Sequence, residues 1–312
     1  MKRLLFFLLV ITTACRAQSS FTVIPLGVKG GTDESNLSSY AVAAKGSNNY
    51  VCLDAGTLHA GIQKSIENKT LQGDATSWLR KNVKGYLISH PHFDHVAGLI
   101  MNAPEDSSKY IYGIESCLSV LKEKHFSWKS WANFANEGEK PTLNKYTYQT
   151  LIPATETPLT NTSLYATPFV LSHVSPNEST AFLVRNGANY ILYLGDTGSD
   201  RIEKSDNLNQ LWKAIGPLIR DKKLKAIFIE VSFDNLQPEN LLFGHLTPRL
   251  LTEELNALSN YCGKDALKNF PIAITHMKPY KDREQKIKKQ LDELNVLGVK
   301  FVFPQQGKVI EF

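Results

Sequence analysis

Apolar residues fall along this chain in short dense runs, each closed by glycine, proline or a small polar residue. The runs include "FTVIPLG", "YAVAAKG", "YVCLDAG", "GYLISH", "YIYGI", "LYATPFVLSH", "TAFLVRNG", "YILYLGD", "AIFIEVSF", "PIAITH" and "KFVFPQQGKVIEF". Several are apolar throughout, the pattern of strands covered on both faces. "VRNGANYI" carries an Asn-Gly turn signal and predicts a hairpin. Helical spacing fills the gaps. "DATSWLRKNV" opens on an Asp cap, "SCLSVLKEKHF" repeats Leu118, Leu121 and Phe126, and "LNQLWKAIGPLI" keeps the same period. "TPRLLTEELNALSNYCG" starts with Thr and Pro and stops at Gly263, and "KDREQKIKKQLDELNVLG" is predicted to run to Gly298. Strands alternating with helices predict a layered α/β fold, and the hairpins make its sheets mixed. No repeat or long linker interrupts residues 18–312, which read as one domain.

The first residues break this pattern. Lys2 and Arg3 precede an apolar run from Leu4 to Ile11 and a small-residue stretch, the layout of a secretory signal over residues 1–17. The run is far shorter than the roughly 20 residues a membrane span needs. Two processing routes fit: cleavage after Ala17, or lipidation of Cys15 as an anchor. An exported protein, periplasmic or secreted, is expected. Losing residues 1–17 removes Lys2, Arg3 and Arg16 and no acid, which takes the formal charge from +5 to +2. So neutral a chain is not expected to bind long nucleic acid, which demands many phosphate contacts. The lysines of "RDKKLK" and "REQKIKK" read as solvated faces. Cys52, Cys117 and Cys262 remain, an odd and widely spaced set that is no disulfide framework.

Chemistry concentrates where the apolar runs end. Five of them deliver Asp54, His90, His173, Asp196 and His276, and binding sites of α/β folds gather at such edges. "SHPHFDHVAGL" adds His92, Asp94 and His95 beside His90. A zinc ion takes about four ligands. His90, His92, Asp94, His95, His173, Asp196 and His276 are too many for one ion and suit two. Nitrogen and carboxylate donors without thiolate favour zinc, with manganese or iron as alternatives.

"HPHFDH" resembles the HxHxDH signature of the metallo-β-lactamase superfamily, and "LDAG", "LSH", "LGDTG" and "ITH" follow in that family's order. The resemblance implies a four-layer αββα sandwich with a binuclear site at one edge. It implies that His90, His92 and His173 hold one metal, that Asp94, His95 and His276 hold the other, and that Asp196 bridges them. Asp54 is implied to steady the histidine loop from behind. "HPHFDHVAGLIMNAP" is further similar to the signature of class II cyclic-nucleotide phosphodiesterases, which favours Leu at Phe93 and Ser at Asn102. "VIPLGVKGGTDESNLSSY" and "FGHLTP" are similar to other segments of that branch.

The activity implied is hydrolysis of 3′,5′-cyclic AMP, or of cyclic GMP, with a water deprotonated between two cations as nucleophile. Asp94 and Asp196 would orient it. The tRNA-processing branch pairs a histidine with a strand-end glutamate, and His245 and Glu230 stand where such a pair would, with His245 as proton donor to the 3′ oxygen. Asn36, Ser38 and His59 are candidate substrate contacts. Trp128, Trp131 and Phe134, at helical spacing, are candidates to stack on the base, while His125 reads as a packing residue. A tRNA 3′-processing-like phosphodiesterase, a β-lactamase and a metal-binding protein without turnover are the competing readings.

Overall fold

The computed structural model describes residues 20–312. The signal-like segment, with Cys15 and Ala17, lies outside them. Among the described residues the strands form two seven-stranded sheets. The first holds β1 (Phe21–Gly27), β2 (Ser39–Ala44), β3 (Tyr50–Leu53), β4 (Val83–Leu87), β5 (Lys109–Gly113) and β6 (Tyr146–Thr150). The second holds β7 (Thr157–Pro158), β8 (Tyr165–Ser172), β9 (Glu178–Asn186), β10 (Asn189–Leu194), β11 (Leu224–Glu230), β12 (Pro271–Thr275) and β13 (Lys300–Val302). The last strand, β14 (Ile310–Glu311), returns to pair with β1. Both sheets are mixed: β1–β2–β3 pair antiparallel and β3–β4–β5–β6 parallel, while β7–β8–β9–β10 pair antiparallel and β10–β11–β12–β13 parallel.

Side-chain alternation stacks the layers. On β2, Tyr40 and Val42 turn to the inter-sheet core and Ala41 and Ala43 to the helices outside. On β11, Ala226 and Phe228 meet the other sheet, whereas Ile227 and Ile229 meet helices. Helices α1 (His59–Glu67), α2 (Ala75–Asn82), α3 (Phe93–Asn102) and α4 (Glu115–Val120) cover the first sheet. The second is covered by α6 (Asn207–Arg220), α7 (Pro248–Cys262), α8 (Lys264–Leu267) and α9 (Arg283–Glu293), and a short α5 (Asp200–Glu203) precedes α6. This is the expected αββα order, and two-sided burial is why the strands read as unbroken apolar runs.

Local signals act as read. The Asp74 carboxylate accepts from Ser77 N at 2.8 Å and caps α2. Thr247 caps α7, and Gly263 ends it at φ 87°. Asn186 pairs with Asn189 across a two-residue loop whose Gly187 takes φ 58°.

Four expectations change. "KFVFPQQGKVIEF" is not one strand: Pro304 lacks a donor and Gly307 turns at φ 75°, which sends β13 and β14 to different sheets. Helix α9 stops at Glu293, before Gly298. Beyond it the Asn295 side chain accepts from Val299 N at 2.9 Å and donates to Val299 O at 2.8 Å, so it closes a turn in place of a helical one. The "SCLSVLKEKHF" helix widens to a π turn over Leu121–His125, with Phe126 N donating to Leu121 O at 2.8 Å. "SWKSWANF" is not helical: residues 127–131 are bends and 132–134 are irregular, with Trp128 at φ 61°. Cys52, Cys117 and Cys262 are buried free thiols. Among the described residues no helix is long and apolar enough to cross a membrane.

Candidate active site

Strand ends bring the site together. Asp54 and His276 follow β3 and β12 at φ 56° each, a left-handed turn that L residues adopt at a cost of about 1–3 kcal/mol. His90, His173 and Asp196 follow β4, β8 and β10, and α3 presents Asp94 and His95 from its first turn. All of these but Asp94 are buried.

Among the described residues four overlapping ligand-capable groups result, two of which include His245, and the other two hold the seven residues expected to ligate. In the first, the His92 Nδ1 lies 3.1 Å from His90 Nε2 and 3.3 Å from His173 Nε2. In the second, Asp94, His95, Asp196 and His276 converge, with donor atoms within 4.8 Å of one another. His276 Nε2 is 3.0 Å from Asp94 Oδ2 and 3.3 Å from Asp196 Oδ2, and His95 Nε2 is 3.3 Å from Asp196 Oδ1. Asp196 also stands 3.8 Å from His90 and 3.9 Å from His173, so it faces both groups.

These residues fit divalent cations. His95 Nε2 and Asp196 Oδ1 are buried without a hydrogen-bond partner, a costly arrangement that a cation between them would repair. The ionisation of the site agrees. Burial would raise the Asp196 carboxyl, yet His276 and His95 outweigh it and hold the group well below the carboxylate range. Burial and then His95 push His90 well below the ordinary imidazole value, and burial takes His173 down to about 4. His90 and His173 are thus neutral donors beside an ionised carboxylate, as a metal requires, whereas at His95 burial is outweighed by Asp196 and Asp54, which raise it well above the ordinary imidazole value, so a cation there would displace a proton.

The ring nitrogens facing away are held. Asp54 accepts from Ser89 N at 2.7 Å, Ser89 Oγ at 2.8 Å, Tyr193 OH at 2.6 Å and His95 Nδ1 at 2.7 Å. His173 Nδ1 donates to Gly244 O at 2.8 Å. Such bonds fix the tautomer, leaving Nε2 free to ligate. Glu230 and His245 meet at 2.7 Å through Oε1 and Nδ1, and His245 Nδ1 is 3.8 Å from Asp196. Burial opposes charge on His245, but Glu230 and Asp196 outweigh it and raise its pKa.

A cleft of about 260 Å³ opens beside His90, His92 and His173, lined also by Ser116, Asn177 and Glu178. The three residues singled out as substrate contacts are not on it. Asn36 Oδ1 accepts from Val28 N at 3.0 Å, and the buried Ser38 donates to Lys29 O at 3.4 Å, so both brace their own loop. His59 starts α1 on a separate pocket of about 370 Å³ that Asn102 also lines. A polar residue near a motif in sequence is free to face its own backbone, so closeness to the motif does not place it on this cleft. Trp128 and Trp131 are exposed, and Trp128 Nε1 donates to Pro141 O at 2.9 Å. His125 packs as expected, its Nε2 bonded to Pro91 O at 3.1 Å and its ring 5.1 Å from Phe93.

The loop of Asn36 reaches the site through its backbone. Gly31 N donates to Asp94 Oδ2 at 2.9 Å. A Cβ on Gly30 would lie 2.2 to 2.6 Å from three ring atoms of His276. The paired glycines of "VKGGTD" were the overlooked signal. Gly30→Ala is expected to tilt His276 and lower kcat/KM by about 100-fold, since misplacements near 1 Å cost that much. A value within threefold of wild type would show that the loop simply moves aside.

Relatives carry the same architecture. The family model for class-II cAMP phosphodiesterases matches residues 19–307. A 3′,5′-cyclic-nucleotide phosphodiesterase of Aliivibrio fischeri is 39% identical over 99% of this chain and 98% of its own length. A cAMP/cGMP-dependent 3′,5′-cAMP/cGMP phosphodiesterase A of Dictyostelium discoideum is 30% identical over 96% of this chain and 82% of its own length. The structure of unliganded yeast PDE1 superposes with a TM-score of 0.82 at 20% identity, covering 95% of this chain and all of that one. A metallo-β-lactamase fold protein of Bacillus subtilis superposes at 0.62 with 13% identity over 95% of this chain, a likeness of fold alone. With a family match that spans both ligand groups and both sheets, this chain belongs to the class-II cAMP phosphodiesterases and has the metallo-β-lactamase fold.

Proposed function

We propose that this metal-dependent hydrolase opens the 3′ ester of 3′,5′-cyclic AMP to give 5′-AMP, and that cyclic GMP is a second substrate. One observation carries the detail: His245, oriented by Glu230, stands 3.8 Å from Asp196 beside both ligand groups. His90, His92 and His173 would hold one divalent cation, Asp94, His95 and His276 the other, and Asp196 both. The donor chemistry favours zinc. Bound there, the cations would supply charge to lower the pKa of water and to neutralise the phosphoryl oxygens.

The chain's own residues do the rest. Asp54 keeps the His95 Nδ1–H directed inward, so the Nε2 lone pair faces the site. Glu230 accepts the Nδ1–H of His245 and leaves Nε2 to give a proton to the departing 3′ oxygen, an alkoxide that leaves poorly without one. The cleft at Ser116, Asn177 and Glu178 offers polar groups to the nucleotide. We also propose export to the periplasm or medium. Support comes from the Lys2–Arg3 start and the apolar run behind it, with cleavage after Ala17 or a lipid on Cys15.

A panel assay tests this reading. The purified chain receives cyclic AMP, cyclic GMP, a nitrophenyl phosphodiester, a tRNA precursor and a β-lactam, each with and without chelator. Turnover of cyclic AMP that the chelator abolishes is expected. Turnover of tRNA or β-lactam but not cyclic AMP would replace the substrate assignment, and chelator-resistant turnover would remove the cations from it.

A further inference from the structure

Ser232 is fully buried two residues beyond Glu230 and belongs to neither ligand group. Its Oγ lies 2.7 Å from Glu230 Oε2, 2.9 Å from His276 Nδ1 and 3.2 Å from His245 Nδ1. A serine hydroxyl has one hydrogen and two acceptor sites, and an ionised carboxylate only accepts. Of the two groups that can only accept, Glu230 Oε2 at 2.7 Å and the His276 carbonyl oxygen at 3.2 Å, the nearer takes the hydrogen, which goes to Glu230. The oxygen is left to accept, and the nearer ring nitrogen, that of His276, must bring the proton. His245 spends its own Nδ1–H on Glu230 Oε1 at 2.7 Å.

We propose that Ser232 is the positioning residue that locks His276 as its Nδ1–H tautomer and ties it, through Glu230, to His245. The Nε2 lone pair of His276 then faces Asp94 and Asp196, at 3.0 and 3.3 Å. Donation to Glu230 polarises the hydroxyl and makes its oxygen a better acceptor. The same arrangement occurs across the site. Ser89 Oγ donates to Asp54 at 2.8 Å and meets His90 Nδ1 at 3.0 Å. In each sheet a buried serine passes the pull of a strand-end carboxylate to a histidine. On the second sheet that carboxylate also orients His245, so one hydroxyl links a cation position to the proton donor. This rests on the two-cation reading above.

The test uses the full chain stripped of metal and titrated with zinc by calorimetry, as wild type, Ser232→Ala and Ser232→Thr. Wild type is expected to bind two ions. Ser232→Ala should weaken one of them by about 10–100-fold, the usual cost of losing such a partner, and leave the other unchanged. Ser232→Thr, which keeps the hydroxyl, should restore most of the loss. Two tight ions in Ser232→Ala would overturn the proposal, as would a threonine variant that folds yet binds no better than alanine. A wild type that binds fewer than two ions would instead defeat the two-cation reading, and this proposal with it. Long-range proton–nitrogen NMR of the zinc-loaded wild type reads the tautomer without any variant. A proton on Nδ1 of His276 is expected, and one on Nε2 would refute the assignment.

Discussion

Asp196→Ala is expected to leave the chain with one tightly held metal or none, and to lower turnover of cyclic AMP by at least about 100-fold. Its carboxylate lies between the two histidine groups, 3.3 Å from His95 and His276 and 3.8 to 3.9 Å from His90 and His173. Among the described residues no other carboxylate stands within 4.0 Å of histidines of both groups. Removing one partner from a buried ionic set costs about 3–5 kcal/mol, which at 1.36 kcal/mol per tenfold is about 10²–10⁴ in affinity. The same change takes the counter-charge from His95 and His276 in the metal-free chain, so circular dichroism of the variant is needed to show that it still folds. Elemental analysis of the purified variant and turnover at saturating substrate are the readouts. Two ions per chain with turnover near wild type would mean that the two groups do not share this residue.

His245→Ala should separate chemistry from metal binding. His245 lies close enough to His173, Asp196 and His276 to be counted among ligand-capable groups, yet its Nδ1 already bonds Glu230 at 2.7 Å. A general acid contributes about 10²–10⁴ to such a rate, and a loss of that order in kcat on cyclic AMP is expected. Both metals should remain in the variant. A nitrophenyl phosphodiester sharpens the test, because nitrophenolate departs without protonation and should be hydrolysed nearly as fast by the variant. Loss of metal, or an equal loss on both substrates, would make His245 a ligand or a structural residue. Glu230→Gln should show a smaller loss with the same selectivity for the poor leaving group, since Nδ1 keeps an acceptor but loses its charge.

Among the candidate ligand residues, His90, His173, Asp196 and His276 were legible because each closes an apolar run. A strand covered on both faces carries few polar residues until it leaves the sheet, so Asp196 and His276 stand out against their neighbours. "HPHFDH" stands out by density alone. Elements were legible where local chemistry decides them, as at Asp74, Thr247 and Gly263. They were misread where a competing local bond wins, as at Asn295, or where one run serves two sheets, as from Lys300 to Glu311.

Substrate contacts were the least legible part. Asn36, Ser38 and His59 were picked for residue type and closeness to motifs, but their orientation depends on loop geometry that leaves no periodic trace. Gly30, Gly31 and Ser232 carry no chemistry of their own and matter only through what comes to lie against them. By itself, the sequence determined the layered α/β class, the candidate ligand residues and the family, because strand burial and motif spacing are local in the chain. Only the tertiary structure decided which nitrogen of each histidine faces the site, which carboxylate stands between the two groups, and that a buried serine joins His276 to Glu230. Those facts depend on contacts between residues tens to hundreds of positions apart, and chain closure, not local preference, brings them within hydrogen-bond distance.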